Sequence, residues 1–272
     1  MLVLGLAMPL LASGAWLWWI YQSDRYEKEP WNLIFKTLGF GAAAGLISLA
    51  LTWVLGLAMQ PGAVTSALTG AAVNVLCVTA VMLAVPYRDP SWNEPFDGLV
   101  YGGAAGIGYG LVFTVPALFI NPQSGFRVAI FAIPIYVLIG VILGHYMSRV
   151  KYGRRRAAAF NWAKALGLTI ALVFGIDLAL NEGGEVVSGT NLLAGLLAYG
   201  SNMLAWLIAT RAMDLADATS PFRPEAEATA AVATLDHLPI APDGCPHCGA
   251  AYPVGSNYCT MCGNPVGRRW GA

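Results

Sequence analysis

The 272-residue chain is 57% hydrophobic and only 11% charged, with 15 basic and 15 acidic residues that cancel to a formal net charge of zero. Ordinary soluble domains carry about 25% charged residues, so the composition points to an integral membrane protein. A neutral chain with three histidines has neither the basic surface of a nucleic-acid binder nor the ligands of a His-rich metal protein.

The first apolar span, residues 2–21, closes on Trp16, Trp18, Trp19 and Tyr21, an aromatic cluster suited to the headgroup level. It lacks a basic n-region and reads as an uncleaved anchor rather than a signal peptide. Further spans are expected at residues 33–59, 64–85, 96–120, 128–147, 160–180 and 192–210, each near the ~20 residues that cross ~30 Å of hydrocarbon. The expected fold is an all-α polytopic membrane bundle of about seven transmembrane helices.

The stretch from Asn93 to Gly110 organises this bundle. Gly98, Gly102, Gly106 and Gly110 recur every fourth residue, so on a helix they share one face and admit a neighbouring backbone at close range. In an exposed soluble helix each would cost roughly 1 kcal/mol against alanine, whereas such stripes suit a membrane helix.

Charge sets an expected orientation. With the N-terminus outside, fourteen of the 15 basic residues fall on the cytoplasmic side and only Arg127 lies outside, as the positive-inside rule requires. Arg154 to Arg156 then serve topology rather than nucleic acid. The C-terminus is placed in the cytoplasm.

After Arg211 the composition turns to Ala, Thr, Pro and acidic residues, too poor in large apolar side chains to bury a core. The expected division is a bundle over 1–211, a flexible cytoplasmic linker over 212–243 and a zinc ribbon over 244–267. In the ribbon, Cys245-Pro-His-Cys248-Gly precedes Cys259-Thr-Met-Cys262-Gly. Two C-x-x-C-G turns suit a tetrahedral four-cysteine zinc site, because each sets two thiolates on one tight turn whose glycine takes the left-handed backbone. The alternative, two disulfides, conflicts with the reducing compartment that the charges imply. Cys245, Cys248, Cys259 and Cys262 are therefore the expected ligands of one structural zinc per chain, with no position open for catalysis. His247 is not at a ligand position, and Cys77 reads as a small apolar residue of a span.

Two loop motifs carry a family resemblance. Asp24-Arg25-Tyr26-Glu27-Lys28-Glu29-Pro30 and, some sixty residues on, Asn93-Glu94-Pro95-Phe96-Asp97-Gly98-Leu99-Val100-Tyr101-Gly102 resemble the PrsW family of intramembrane proteases over about residues 15–180. The resemblance implies a family Glu-Glu pair in the helix before the second loop, a Glu-Asn after the glycine helix and histidines beyond. At the corresponding places stand residues 71–78 with Asn74 and no carboxylate, then Phe113-Thr114, and then Ile133-Pro134 and Phe174-Gly175.

The residues themselves lead to the same expectation. The spans hold one histidine, His145, and one deep carboxylate, Asp177, short of the three ligands and a base of a metallopeptidase. An aspartyl mechanism needs two carboxylates sharing a proton, and Asp97 and Asp177 start from opposite faces. Ser48, Cys77 and Ser201 show no partner base.

The remaining polar residues have structural readings. Asn74 and Asn202 are expected in interhelical hydrogen bonds, Asp177 as an interfacial carboxylate, and Asp97 as a helix cap. Arg25 or Arg88 is expected to pair with the loop carboxylates. The chain thus reads as a catalytically silent relative, a binding or regulatory scaffold in the lipid bilayer. Its ribbon and cytoplasmic loops would meet a cytosolic or membrane protein, with no nucleic acid expected. The alternatives are an active intramembrane (metallo)protease and a small-solute transporter or channel.

Overall fold

The computed structural model describes residues 2–54, 63–120, 128–152, 155–182, 192–221, 244–250 and Val266. The helices are α1 (Leu2–Ser23), α2 (Trp31–Val54), α3 (Ala63–Ala84), α4 (Asp97–Phe113), the short α5 (Val115–Ile120), α6 (Ile133–Tyr152), α7 (Arg155–Glu182) and α8 (Leu192–Ala218). A π-helical turn, Val128–Ala132, leads into α6. No strand occurs among the described residues, and the seven long helices fall on the seven expected apolar stretches.

Four segments, Trp31–Val54, Val64–Ala84, Val128–Tyr152 and Ala157–Gly175, are long and apolar enough to cross a membrane. The span expected over 96–120 divides at Thr114. There the threonine hydroxyl bonds back to the Gly110 carbonyl at 2.7 Å, and Pro116 supplies no N–H to the ladder.

α4 is the axis of the bundle, buried along its whole length from Asp97 to Gly110 and clamped between α2 and α6. Its glycine stripe is filled by α6. A Cβ added at Gly98, Gly102 or Gly106 would fall on the carbonyls of Gly144, Gly140 and Tyr136 respectively, so the two backbones touch where side chains normally intervene. α3 and α7 pack together on one flank, and α8 packs across α6 and α7.

Large apolar side chains point outward all round this axis, among them Phe35, Phe40 and Ile47 of α2, Leu76 of α3 and Leu207 of α8. A continuous apolar exterior suits a lipid surround and not water. Trp16 and Trp19 contact Trp206 of α8 with ring centroids 5.4 and 4.7 Å apart, so this part of the expected interfacial cluster staples α1 to α8. α8 runs on past Arg211 to Ala218. Most of the expected linker, residues 222–243, lies outside the described residues.

Candidate functional site

Two polar clusters interrupt the apolar interior. The first lies at the loop end of the bundle, where the segment after α1, the segment before α4 and the last turn of α8 meet. Asp24 and Glu94 are each 1% exposed, Glu29 4% and Asp97 0%. Asp97 opens α4 without capping it, contrary to the sequence expectation. Its Oδ2 accepts the N–H groups of Asn93 at 2.5 Å and Glu94 at 2.7 Å, which turns the carboxyl back into the loop and fixes the Glu94-Pro95 bend. The physical reason is that the preceding loop folds over the helix start and offers its own unpaired N–H groups first.

The Asp97 carboxyl lies beside that of Glu29, whose proximity adds to burial in raising Asp97, and the buried Tyr101 hydroxyl donates to Glu29 Oε2. Two buried carboxyls side by side disfavour the doubly ionised state. The carboxyl pair that an acid–base site needs is therefore Glu29 with Asp97. Asp177, the other carboxylate that the sequence offers for such a pair, lies half-buried near Gly70 of α3.

The loops are tied together by these bonds and by Asn93 Nδ2, which donates to Glu27 at 3.3 Å. The expected pairing of Arg25 with the loop carboxylates is corrected, since Arg25 meets Asp217 of α8 at 3.5 Å. Lys151 of α6 donates to the Trp92 carbonyl at 2.7 Å and the Tyr87 carbonyl at 3.0 Å, pinning the loop from below. Trp92 in turn donates to Ser148 Oγ at 3.1 Å. Beside the nest, Trp19, Arg25, Thr210, Met213, Asp214 and Asp217 help line a cleft of about 340 Å³.

Burial sets the titration of the loop carboxyls. Desolvation lifts Glu94 to about 8, against the Ser220 hydrogen bond and with the Asp97 charge, and lifts Asp24 to about 6 against Lys28. Glu29 is likewise raised, first by burial. An acid whose folded pKa exceeds its unfolded value binds its proton more tightly in the fold. Its stabilisation is complete below about pH 4.5 and is lost as the pH rises towards about 8. The detergent-solubilised protein is expected to melt higher at pH 5.5 than at pH 8.5, and Glu94→Gln is expected to flatten that dependence; equal melting temperatures at both pH values would contradict the assignment.

The second cluster is inside the bundle. Tyr109 of α4 donates from its hydroxyl, which lies 2.5 Å from Asn74 Oδ1 and 2.7 Å from Ser48 Oγ, and Ser48 Oγ donates to Asn74 Oδ1 at 3.2 Å. This closed triad joins α2, α3 and α4, so Asn74 makes the interhelical bonds expected of it. Phe113 stacks on Tyr109 at 5.4 Å, and Cys77 lies near Ser48. Tyr109→Phe removes one buried bond and leaves the Ser48–Asn74 pair, a loss of about 1 kcal/mol that should appear as a small drop in melting temperature. No change would mean that the triad is not held in the membrane.

At the C-terminus, the first half of the cysteine motif forms a tight turn. Gly249 N–H donates to the Cys245 carbonyl at 2.7 Å, Cys245 N–H to Ala250 at 2.8 Å, and His247 N–H to Cys245 Sγ at 3.4 Å. Gly244 and Gly249 have φ of 61° and 75°, the left-handed backbone expected at the turn glycine. An N–H aimed at sulfur is the environment that suits a thiolate ligand, so Cys245 and Cys248 fit a zinc-binding turn. Cys259 and Cys262 lie outside the described residues.

The bundle and its tail define a polytopic helical membrane protein with a C-terminal zinc ribbon, and residues 245–266 match the model of the zinc-ribbon domain. Over the bundle, the chain is similar to three bacterial proteins named Protease PrsW. The Geobacillus kaustophilus protein is 24% identical over 56% of this chain and 69% of its own length. The Bacillus subtilis protein is 23% identical over 60% and 74%, and that of Clostridioides difficile 22% over 53% and 64%. The chain is thus a PrsW-like membrane protein, as the loop motifs implied. No solved structure matches it.

Proposed function

We propose that this is a PrsW-like membrane protein that does not hydrolyse peptide bonds and that acts through binding, with its zinc ribbon as the interaction module. The observation that carries the reading is the closure of the polar cluster inside the bundle. The Ser48–Asn74–Tyr109 triad uses its groups on one another, and a neutral amide and two hydroxyls supply neither metal ligands nor a base strong enough to activate water. Thr114 is bonded to its own helix, and Phe113 is stacked on Tyr109. The glycine faces of α4 that could admit a peptide backbone are filled by α6 and, at Gly108, by α2.

The ribbon is proposed to hold one zinc per chain through Cys245, Cys248, Cys259 and Cys262, a full shell that orders the tail and leaves no site for substrate. The distribution of basic residues supports a cytoplasmic loop end and tail, where a protein partner would meet the ribbon. A reporter fused to the C-terminus is expected to be inaccessible from outside intact cells; labelling from outside would reverse the orientation.

A second reading follows from the Glu29–Asp97 pair together with the name of the three relatives. Two carboxyls side by side are the groups of an acid protease, but here both are buried from any substrate. Peptidase assays on the purified protein in detergent are expected to show only background. Cleavage above background that survives removal of the tail, chelator-sensitive or not, would overturn the proposal.

A further inference from the structure

Among the described residues, no basic side chain forms an ion pair with the carboxyls of the nest at the loop end, although Lys28 acts on Asp24 and Lys151 on Asp97 from further off. Lys28 donates to the backbone carbonyls of Tyr21 and Asp24, Lys151 donates to those of Tyr87 and Trp92, and Arg25 is paired with Asp217. His145 of α6 packs on Tyr146 beside Arg149, and Glu27 is engaged by Asn93. Glu94 Oε1 and Asp97 Oδ1 are fully buried and receive no hydrogen bond. An acceptor left so in the interior is costly unless it carries its own hydrogen. Among the described residues, no three His, Cys or carboxylate side chains are arranged to hold a metal ion. The neutralising ligand left to the nest is the proton.

The nest is also where the tail leaves the bundle. Ser220, two residues past the end of α8, is buried and donates to Glu94 Oε2; Asp217, one turn earlier, meets Arg25. Glu94 faces Asp97, Asp24 and Glu27, Glu29 faces Asp97, Tyr101, Asp24 and Glu27, Lys151 of α6 acts on Asp97, and Asp89 of the loop acts on Lys151 and Tyr101.

We propose that Glu29, Glu94 and Asp97 form a proton-binding site whose protonated state latches the last turn of α8, and with it the root of the ribbon-bearing tail, onto the bundle. Ionising the nest sets like charges against one another in a buried space. The Ser220 bond by itself favours the ionised carboxylate, so release comes from the repulsion among Glu29, Glu94 and Asp97 and from their hydration, which outweigh it. Water enters, Glu94 turns outward, and its contact with Ser220 is lost. The site would make release of the tail depend on pH, whether or not the bundle hydrolyses anything.

The test uses the full chain in nanodiscs, with two readouts. Infrared difference spectra between pH 6 and pH 9 should show protonated carboxyls at pH 6, with one such signal removed in Glu94→Gln. Hydrogen exchange of residues 214–221, corrected for the intrinsic pH dependence of exchange, should quicken at least about tenfold at pH 9, the factor that one pKa unit of coupling provides. In Glu94→Gln, which stays neutral, that segment should stay protected at both pH values. Ser220→Ala, which leaves the carboxyls intact, should be open at both. The proposal fails if no protonated carboxyl is seen at pH 6, if the wild-type segment exchanges equally at both pH values, or if Glu94→Gln keeps the full wild-type response.

Discussion

Changing Cys245 and Cys259 together to serine is expected to abolish zinc binding and leave residues 244–267 unfolded, with the bundle intact. A segment this short cannot bury enough apolar surface to fold alone. Its described apolar contacts amount to Cys245 and Val266 with Ala250 alongside. Metal ligation then supplies most of the folding free energy, on the order of 10 kcal/mol, and losing one ligand from each turn removes the tetrahedral shell. Metal analysis of the purified chain should fall from about one zinc to none, and protease should cut the tail of the variant faster. A metal-free tail that resists protease as the wild type does would end the zinc reading.

The second large effect is expected at Gly102. Its Cβ position is occupied by the Gly140 carbonyl, and the reciprocal Cβ at Gly140 would meet the Gly102 carbonyl, so the contact is backbone on backbone from both sides. Neither partner can rotate away as a side chain would. Gly102→Val must therefore push α4 off α6, a strain above the ~1–3 kcal/mol usual for overpacking, in the contact on which the bundle is centred. Loss of a monodisperse protein in detergent is expected. Gly39→Ala and Gly167→Ala are the controls, because nothing lies within 4 Å of a Cβ at either position. If Gly102→Val melted like these controls, the glycine-filled interface would be wrong.

The helices were legible because a membrane span is a local signal, some twenty apolar residues in a row, and the glycine period lies within one helix. The ends were less so. Asp214 and Asp217 made residues after Arg211 look like linker, yet α8 continues to Ala218 because Met213 and Ala216 still have the bundle to bury against. The knuckle at Cys245 was legible for the same reason as the spans, since its ligands and its glycine are close in sequence.

The carboxyl nest was not legible. Tyr101 reaches Glu29 across 72 residues, and Ser220 reaches Glu94 across 126. Each carboxylate alone suggested a cap or a surface ion pair, and only the meeting of two loops and a helix end shows that they are buried together. The one signal in the sequence was an excess: two acidic loop motifs lay at one end of the bundle, with basic residues that could have paired with them. The structure spends those bases on backbone carbonyls and on Asp217 instead.

The most direct test of the central claim is cleavage in proteoliposomes. The full chain and the Bacillus subtilis PrsW protein would each be reconstituted with a panel of transmembrane peptides, and new termini read by mass spectrometry. The Bacillus protein is expected to yield products and this chain none above empty vesicles. New termini produced by the wild-type chain and lost in Asp97→Asn or Asn74→Ala would contradict a silent bundle and assign hydrolysis to the cluster whose variant abolished it.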